Sequence, residues 1–327
     1  NAITIDSNGL NYQGDDDTYT VEYTTDGQSV NIVYSGSTNG WIPIEDDTVT
    51  DVPIKLNTEG IFGYGENGGS LSMSNLVNSS GVVASDVTGV GTARRYIAAC
   101  EYGNDKGIFG FGKTASVVSM TNLVSNAGVV GTDVTGVGTA REKLAACGYG
   151  YDKGIFGFGE GSGMVSMTNL VSSSGVVATD VTGVGTARNV LAATQYGGDK
   201  GIFGYGTTGS VTAVSNLVSN AGVVATDVSG VGTARKDLAA CSYSANKDKG
   251  IFGFGKTASV VSMTNLVSNA GVVATDTTGV GTAREKLAAC EYGEDKGIFG
   301  FGEDASGVCD ITNLVSNAGV VATDVTG

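Results

Sequence analysis

Gly154-Ile155-Phe156-Gly157-Phe158-Gly159 is the stretch on which the fold turns, because it is one of six near-copies. The others open at Gly60, Gly107, Gly201, Gly250 and Gly297, so successive copies lie 47, 47, 47, 49 and 47 residues apart. Spacing of that regularity marks one supersecondary unit used repeatedly, and an array is therefore the starting point for both fold and function.

Outward from 154–159, one full unit spans residues 137–183. Its apolar or β-branched segments, 144–149, 154–158, 165–171 and 175–181, are separated by Gly or Ser/Asn clusters with turn chemistry. Four strands per unit predicts the blade of a propeller; a β-solenoid, the rival, advances in shorter repeats. A helical repeat fails on its glycines and β-branched residues. The aromatic segment, the Thr/Ser-Asn-Leu-Val segment and the segment bearing Asp86, Asp133, Asp180, Asp227, Asp276 or Asp324 each occur six times, but the Arg-to-Tyr segment occurs only five times. The sixth inner strand is expected within 51–59, at Pro53-Ile54-Lys55-Leu56-Asn57. The expected architecture is all-β: a six-bladed β-propeller over 51–327, preceded by a small β domain over 1–50. A fragment of a longer array is the alternative.

In that N-terminal stretch apolar and polar residues alternate over 2–5, 19–23 and 29–34, and Asn8-Gly9, Asp26-Gly27 and Asn39-Gly40 offer hairpin turns. The 327 residues include 53 Gly and 2 Pro, which suits short strands and tight turns. Lys plus Arg total 18 against 33 Asp plus Glu, and the net charge of -15 argues against nucleic acid or anionic lipid as partners. No apolar run is long enough for a membrane helix, so no membrane insertion is expected. The chain starts at Asn1 without a basic-then-apolar leader, which places any signal peptide outside these residues.

There is no histidine in the sequence, which removes the commonest general base, the commonest transition-metal ligand and Ser-His or Cys-His nucleophilic arrangements. Hydrolysis by carboxylates alone stays open, with a glycan-cleaving enzyme as the least favoured reading. Asp105, Asp152, Asp199, Asp248 and Asp295 precede Lys-Gly once per unit in near-identical settings, unlike the unequal pair that acid–base work requires. They and the second recurring series, Asp86, Asp133, Asp180, Asp227, Asp276 and Asp324, are read as turn formers or as ion-pair partners of Arg94, Arg141, Arg188, Arg235 and Arg284, which would fix the register between units. Gly-Ile-Phe-Gly-Phe-Gly is not a phosphate loop, since no helix follows and the Gly-Lys-Ser/Thr ending is missing. Runs at 15–17 and 45–47 lack the ligand spacing of a calcium loop and are read as solvated segments, so neither metal nor cofactor is expected. Cys100, Cys147, Cys241 and Cys290 recur at one position, where the fourth unit has Thr194, and are read as free buried thiols with Cys309 an extra.

Copies differ mainly in the loop after the aromatic strand and in the pair after each Arg, whereas 112–130 and 255–273 are identical. In a four-stranded antiparallel blade those two connections emerge on one face, which makes Tyr96, Lys113, Lys143, Asn189, Thr207, Lys236 and Glu303 candidate recognition residues. Tyr151 joins them from the opposite turn, and Tyr96, Tyr151 and Trp41 are candidates for stacking on sugar.

The entering Arg, the small apolar Ala-Ala-Cys segment and the glycine-flanked aromatic strand resemble kelch repeats over 53–327. The departures are a Gly-aromatic-Gly in place of the kelch glycine pair and the missing late Trp. The stretches 26–35 and 40–43 look like a small module of bacteriophage tail-fibre proteins. Thr-Asn-Leu-Val-Ser-Asn-Ala-Gly-Val-Val-Ala-Thr-Asp is similar to propeller repeats of phage and cyanophage structural proteins. What these resemblances imply is a non-enzymatic virion appendage protein, outside the host cell. Residues 1–50 would oligomerise it or dock it on other virion proteins, and the propeller would attach to a host-surface glycan. A purely architectural role is the second expectation.

Overall fold

The computed structural model of the chain describes residues 3–15, 21–23, 30–45 and 58–326. These are all-β, in small antiparallel sheets, apart from one 3-10 turn at Ala245–Lys247. Two compact units divide the chain, Asn1–Lys55 and Leu56–Gly327, close to the boundary expected at residue 50.

In the first unit β1 (Ile3–Ile5) pairs with β2 (Val21–Tyr23), and β3 (Asn31–Tyr34) with β4 (Trp41–Glu45). The Asn39-Gly40 turn closes the second hairpin with Gly40 at φ 63°, and a Cβ there would sit 1.6 Å from the carbonyl oxygen of Asn11. The turn expected at Asp26-Gly27 and the inner strand expected at 53–57 lie outside the described residues.

The second unit repeats a three-stranded meander. After β5 (Gly60–Glu66) and β6 (Ser70–Val77) come β7 (Ala98–Tyr102), β8 (Lys106–Gly110) and β9 (Thr121–Val124). Then follow β10 (Ala145–Tyr149), β11 (Lys153–Gly157) and β12 (Thr168–Val171), and β13 (Ala192–Tyr196), β14 (Lys200–Gly204) and β15 (Ser215–Val218). The last two sheets are β16 (Ala239–Tyr243), β17 (Lys249–Gly253) and β18 (Thr264–Val267), and β19 (Ala288–Tyr292), β20 (Lys296–Gly300), β21 (Ile311–Val315) and β22 (Val325–Thr326). Register is conserved from sheet to sheet: Cys147 faces Ile155 as Thr194 faces Ile202.

The fourth segment of each unit, expected as a strand, is one only in the last sheet; elsewhere isolated bridges such as Val171 to Val177 and Thr168 to Val181 hold it. A side chain takes over part of the ladder, because Asn169 Nδ2 donates to the Ala178 carbonyl at 3.0 Å. The outermost segment also buries little: Val176 is 64% exposed and packs on nothing that would straighten it.

The apolar core lies between sheets. One cluster joins Ile155 and Phe158 of one sheet to Leu191 and Phe203 of the next. At every junction two aromatic rings meet edge to face, 5.1–5.2 Å apart: Tyr64–Phe109, Phe111–Phe156, Phe158–Phe203, Tyr205–Phe252, Phe254–Phe299 and Phe301–Phe62. The sixth pair brings the last sheet onto the first. Each such pair contributes about 0.5–1.5 kcal/mol beyond the area it buries. Close approach here explains the glycine that precedes the second aromatic, since a Cβ on Gly157 would lie 2.6 Å from the Phe203 ring and one on Gly300 2.9 Å from Phe62.

Candidate functional site

Each repeated Arg enters ahead of the first strand of its sheet and is fully buried at a junction. Arg188 is representative. Its Nε donates to the Tyr205 carbonyl of its own sheet at 2.9 Å, Nη1 donates to the Thr186 carbonyl at 3.2 Å, and the guanidinium carbon stands 4.2 Å over the Phe158 ring of the preceding sheet. Burial pulls its pKa down to about 10, against the pull of Asp227. Asp227 in turn accepts from the Thr186 amide at 3.1 Å, the Thr186 hydroxyl at 2.6 Å and Asn216 Nδ2 at 2.9 Å. Burial pushes that carboxyl up, but the bonds from Thr186 and Asn216 outweigh it and leave it below the usual range.

Of the two carboxylate series considered from the sequence, only the one that contains Asp133 and Asp180 faces the arginines. Asp133 lies 3.8 Å from Arg94 and Asp180 4.0 Å from Arg141, whereas Asp105, Asp152, Asp199 and Asp295 pair with the lysine that follows each of them. The reason is position. Asp105 and its equivalents sit in the turn after the first strand, at the far end from the arginine. Their turn role holds, and their backbones knit neighbouring sheets: the Gly103 amide donates to Asp152 O at 2.7 Å, Gly150 to Asp199 O at 2.8 Å and Gly197 to Asp248 O at 2.8 Å.

The two variable regions do meet, through bridges such as Arg95 to Lys113, Asn189 to Thr207 and Lys236 to Lys256. Their side chains are largely spent on each other across the junctions. Glu66 pairs with Arg95 at 2.5 Å, Lys113 with Glu142 at 3.2 Å and Lys256 with Glu285 at 2.7 Å, and Asn189 donates to Glu160 at 2.7 Å. Within a sheet, Lys143 holds Glu160 at 3.0 Å and Lys286 holds Glu303 at 2.6 Å. The Lys143 hydrogen bond, more than the opposing burial, keeps the Glu160 carboxyl below its ordinary range. Tyr96 is flanked by Arg95 and Lys143, 5.5 and 5.7 Å from its ring centre. Asn189, expected at a surface, is 4% exposed. A chain of amide bonds runs along the same ends of the strands, Lys143 to Tyr96 O, Val190 to Lys143 O, Asp237 to Val190 O and Lys286 to Asp237 O, at 2.8–3.0 Å. Each donor has a left-handed backbone, φ 47–56°. Tyr151, 69% exposed, lies beyond the other end of β10, so it is not brought together with Tyr96, and Trp41 lies in the first unit against Tyr34.

A cavity of about 190 Å³ is lined by the first strands of successive sheets, among them Ala99, Ala146, Ala193, Ala240 and Ala289. Into it Lys247 extends its ammonium, which bonds Glu101 of β7 and sits 2.9 Å from Glu291 of β19. The Ser242 hydroxyl donates to Glu291. Gln195 is 3% exposed, and its amide oxygen has no protein partner. Burial pushes the Glu101 carboxyl up despite Lys247, while the two carboxylates outweigh burial and raise the Lys247 ammonium. Sequence reasoning missed this cluster. Its signals were the spacing of 49 at one junction, where the turn at Ala245–Lys247 adds length, and the changing residue after Ala-Ala-Cys.

All five cysteines are free. Burial pushes the Cys147 thiol up to about 12, which keeps it protonated and inert. Its sulfur occupies the room left by a missing side chain in the next sheet, 2.6 Å from where a Cβ on Gly201 would stand. Among the described residues no group of three or more Cys, Asp and Glu side chains is arranged to hold a metal ion, and no helix is long and apolar enough to cross a membrane. No protein-family model matches the chain, and no curated protein matches it.

Proposed function

We propose that the chain is a non-enzymatic structural protein of a virus particle, built as a six-bladed kelch-like propeller that presents its loop-bearing ends to a host-surface glycan. The observation that carries this reading is the cycle of aromatic pairs in which Phe301 of the last sheet returns to Phe62 of the first. Such closure leaves no unpaired sheet ends in the array and gives a rigid head whose surface, not its interior, is free to work. The engagement of Asp133, Asp180, Asp227, Asp276 and Asp324 and of each arginine in hydrogen bonds within their own sheets supports a structural role for the charged groups that recur. Virion membership rests on the likeness of the repeats to those of phage structural proteins. The resulting mechanism is display: modest contacts by one head are multiplied when several heads are mounted together.

The labelled full-length protein is expected to adsorb to cells of a bacterial host, to be displaced by that host's purified surface polysaccharide, and to lose about tenfold in binding on Tyr151→Ala, as loss of one stacking anchor would give. Adsorption that ignores the polysaccharide, or no adsorption to any host strain, defeats this reading in favour of a second. That second reading, a purely architectural decoration, is favoured by the variable charged side chains having their partners across junctions, as Lys113 with Glu142.

A further inference from the structure

Residues 1–55 hold ten Asp and Glu against one Lys, so this unit carries -9 of the total -15 while the remaining 272 residues share -6. Among its described residues Tyr12 is the one buried large apolar side chain. The β3–β4 hairpin instead displays its apolar groups. Val33 and Tyr34 are 47% and 44% exposed and Ile44 62% exposed, and every residue of β3 is exposed although alternate side chains point to opposite faces. Two-stranded hairpins are marginally stable alone and gain from a third strand. The β4 edge is already met by Asn11 and Gln13, which exchange bonds with Trp41 at 2.8 and 2.9 Å. Among the described residues no strand lies along the outer edge of β3.

We propose that the outer edge of β3 receives a strand from another protein, and that this strand is basic with apolar residues at alternate positions. The inference rests on the reading of residues 1–50 as a docking module and names its partner. Backbone bonds along β3 would supply the pairing, Ile32, Val33 and Tyr34 the side-chain contacts, and the net charge of -9 on the unit the selection for lysine and arginine. A second copy of this chain is the poorer occupant, because it would bring another -9 against the first.

The single tryptophan, Trp41, lies on β4 opposite Tyr34 and reports on this hairpin alone. Three probes are titrated into the full-length protein: a ten-residue peptide alternating Lys with Val, the same peptide with Glu for Lys, and polylysine of equal charge. The Lys/Val peptide is expected to shift Trp41 emission, to bind several-fold more weakly as salt rises from 0.05 to 0.5 M, and to lose about tenfold in affinity with Val33→Lys or, independently, Ile44→Lys. Equal binding of the Glu peptide, equal binding of polylysine, no binding at all, or self-association of the protein that is broken by Val33→Lys would each overturn the proposal. Failure here leaves cell adsorption and its dependence on Tyr151 untouched, so the two readings fall separately.

Discussion

The junctions between sheets are near-copies of one another, whereas the cavity at the first strands is unlike anywhere else in the molecule. At a junction the same problem, fitting one sheet to the next, arises each time, and one answer serves: an aromatic pair with a glycine beneath it and, at five of the six, a buried arginine above. The cavity is where equivalent positions converge on each other. Repeating a glutamate there would crowd like charges into a buried space, and the residue after Ala-Ala-Cys accordingly changes, as Glu101, Gly148, Gln195, Ser242 and Glu291. The two carboxylates that remain are answered by one ammonium, delivered by a turn two residues longer than its equivalents. Repetition suits contacts made between neighbours and must break where all copies face one point.

The largest effect should come from breaking the singular part. Lys247→Ala strands Glu101 and Glu291 as partly buried charges without a cation; removing one partner of a fully buried cluster costs about 3–5 kcal/mol, and the loss here should fall at or below the lower end of that range. Urea unfolding should show that loss near neutral pH. Glu101 already has its carboxyl raised by burial, and losing the ammonium raises it further. An acid whose folded pKa exceeds its unfolded value favours folding below the unfolded value, about 4.3, and loses that contribution as pH rises through the folded one. The deficit of the variant should therefore shrink as pH falls toward 5, and Glu291→Gln in the same background should recover part of it. A variant as stable as the parent at pH 7 would mean that water satisfies the cluster without Lys247.

Most of the junction design was open to sequence reading, because spacing, glycine placement and aromatic position all repeat and each has a local physical cause. Two of its parts were not. The fourth segment looks like a strand by alternation at Val176, Ala178 and Val181, yet its main chain pairs only through isolated bridges, supplemented by a bond from Asn169 that alternation does not reveal. Each arginine was expected to pair with a carboxylate from one of two recurring series, and the order of residues does not say which series lies at the arginine's end of the strand. The variable pair after each Arg was read as a surface by its variability; in Glu142, 5% exposed, the variation is compensated across a junction by Lys113. Lys247 escaped because its partners are 146 and 44 residues away, and no local pattern links them.

A middle-sized effect tests the repeated part. Gly157→Ala sets a methyl 2.6 Å from the fully buried Phe203 ring, which has no room to retreat, and overpacking of that kind costs about 1–3 kcal/mol. Gly163→Ala is the control, since a Cβ there meets nothing within 4 Å. Thermal unfolding should separate the two variants clearly. Equal melting temperatures would show that the sheets can slide apart at a junction without penalty, and the contrast between uniform junctions and a singular cavity would lose its first term.

The smallest effect refines the account of variable pairs. Where Glu66, Lys113, Glu160 and Lys256 reach across a junction to a polar partner, the equivalent Thr207 leaves Lys236 with only Asp237, 3.8 Å away in its own strand entry. Thr207→Glu should supply the missing carboxylate and stabilise the protein by about 0.3–0.5 kcal/mol, the range for a partly exposed pair. A double-mutant cycle with Lys236→Ala isolates that interaction from any change in loop preference. A gain that vanishes with Lys236 and fades at high salt would establish that variation at these positions is matched charge by charge between sheets. A gain that survives Lys236→Ala would return the variable face to selection from outside the protein, where the surface reading first placed it.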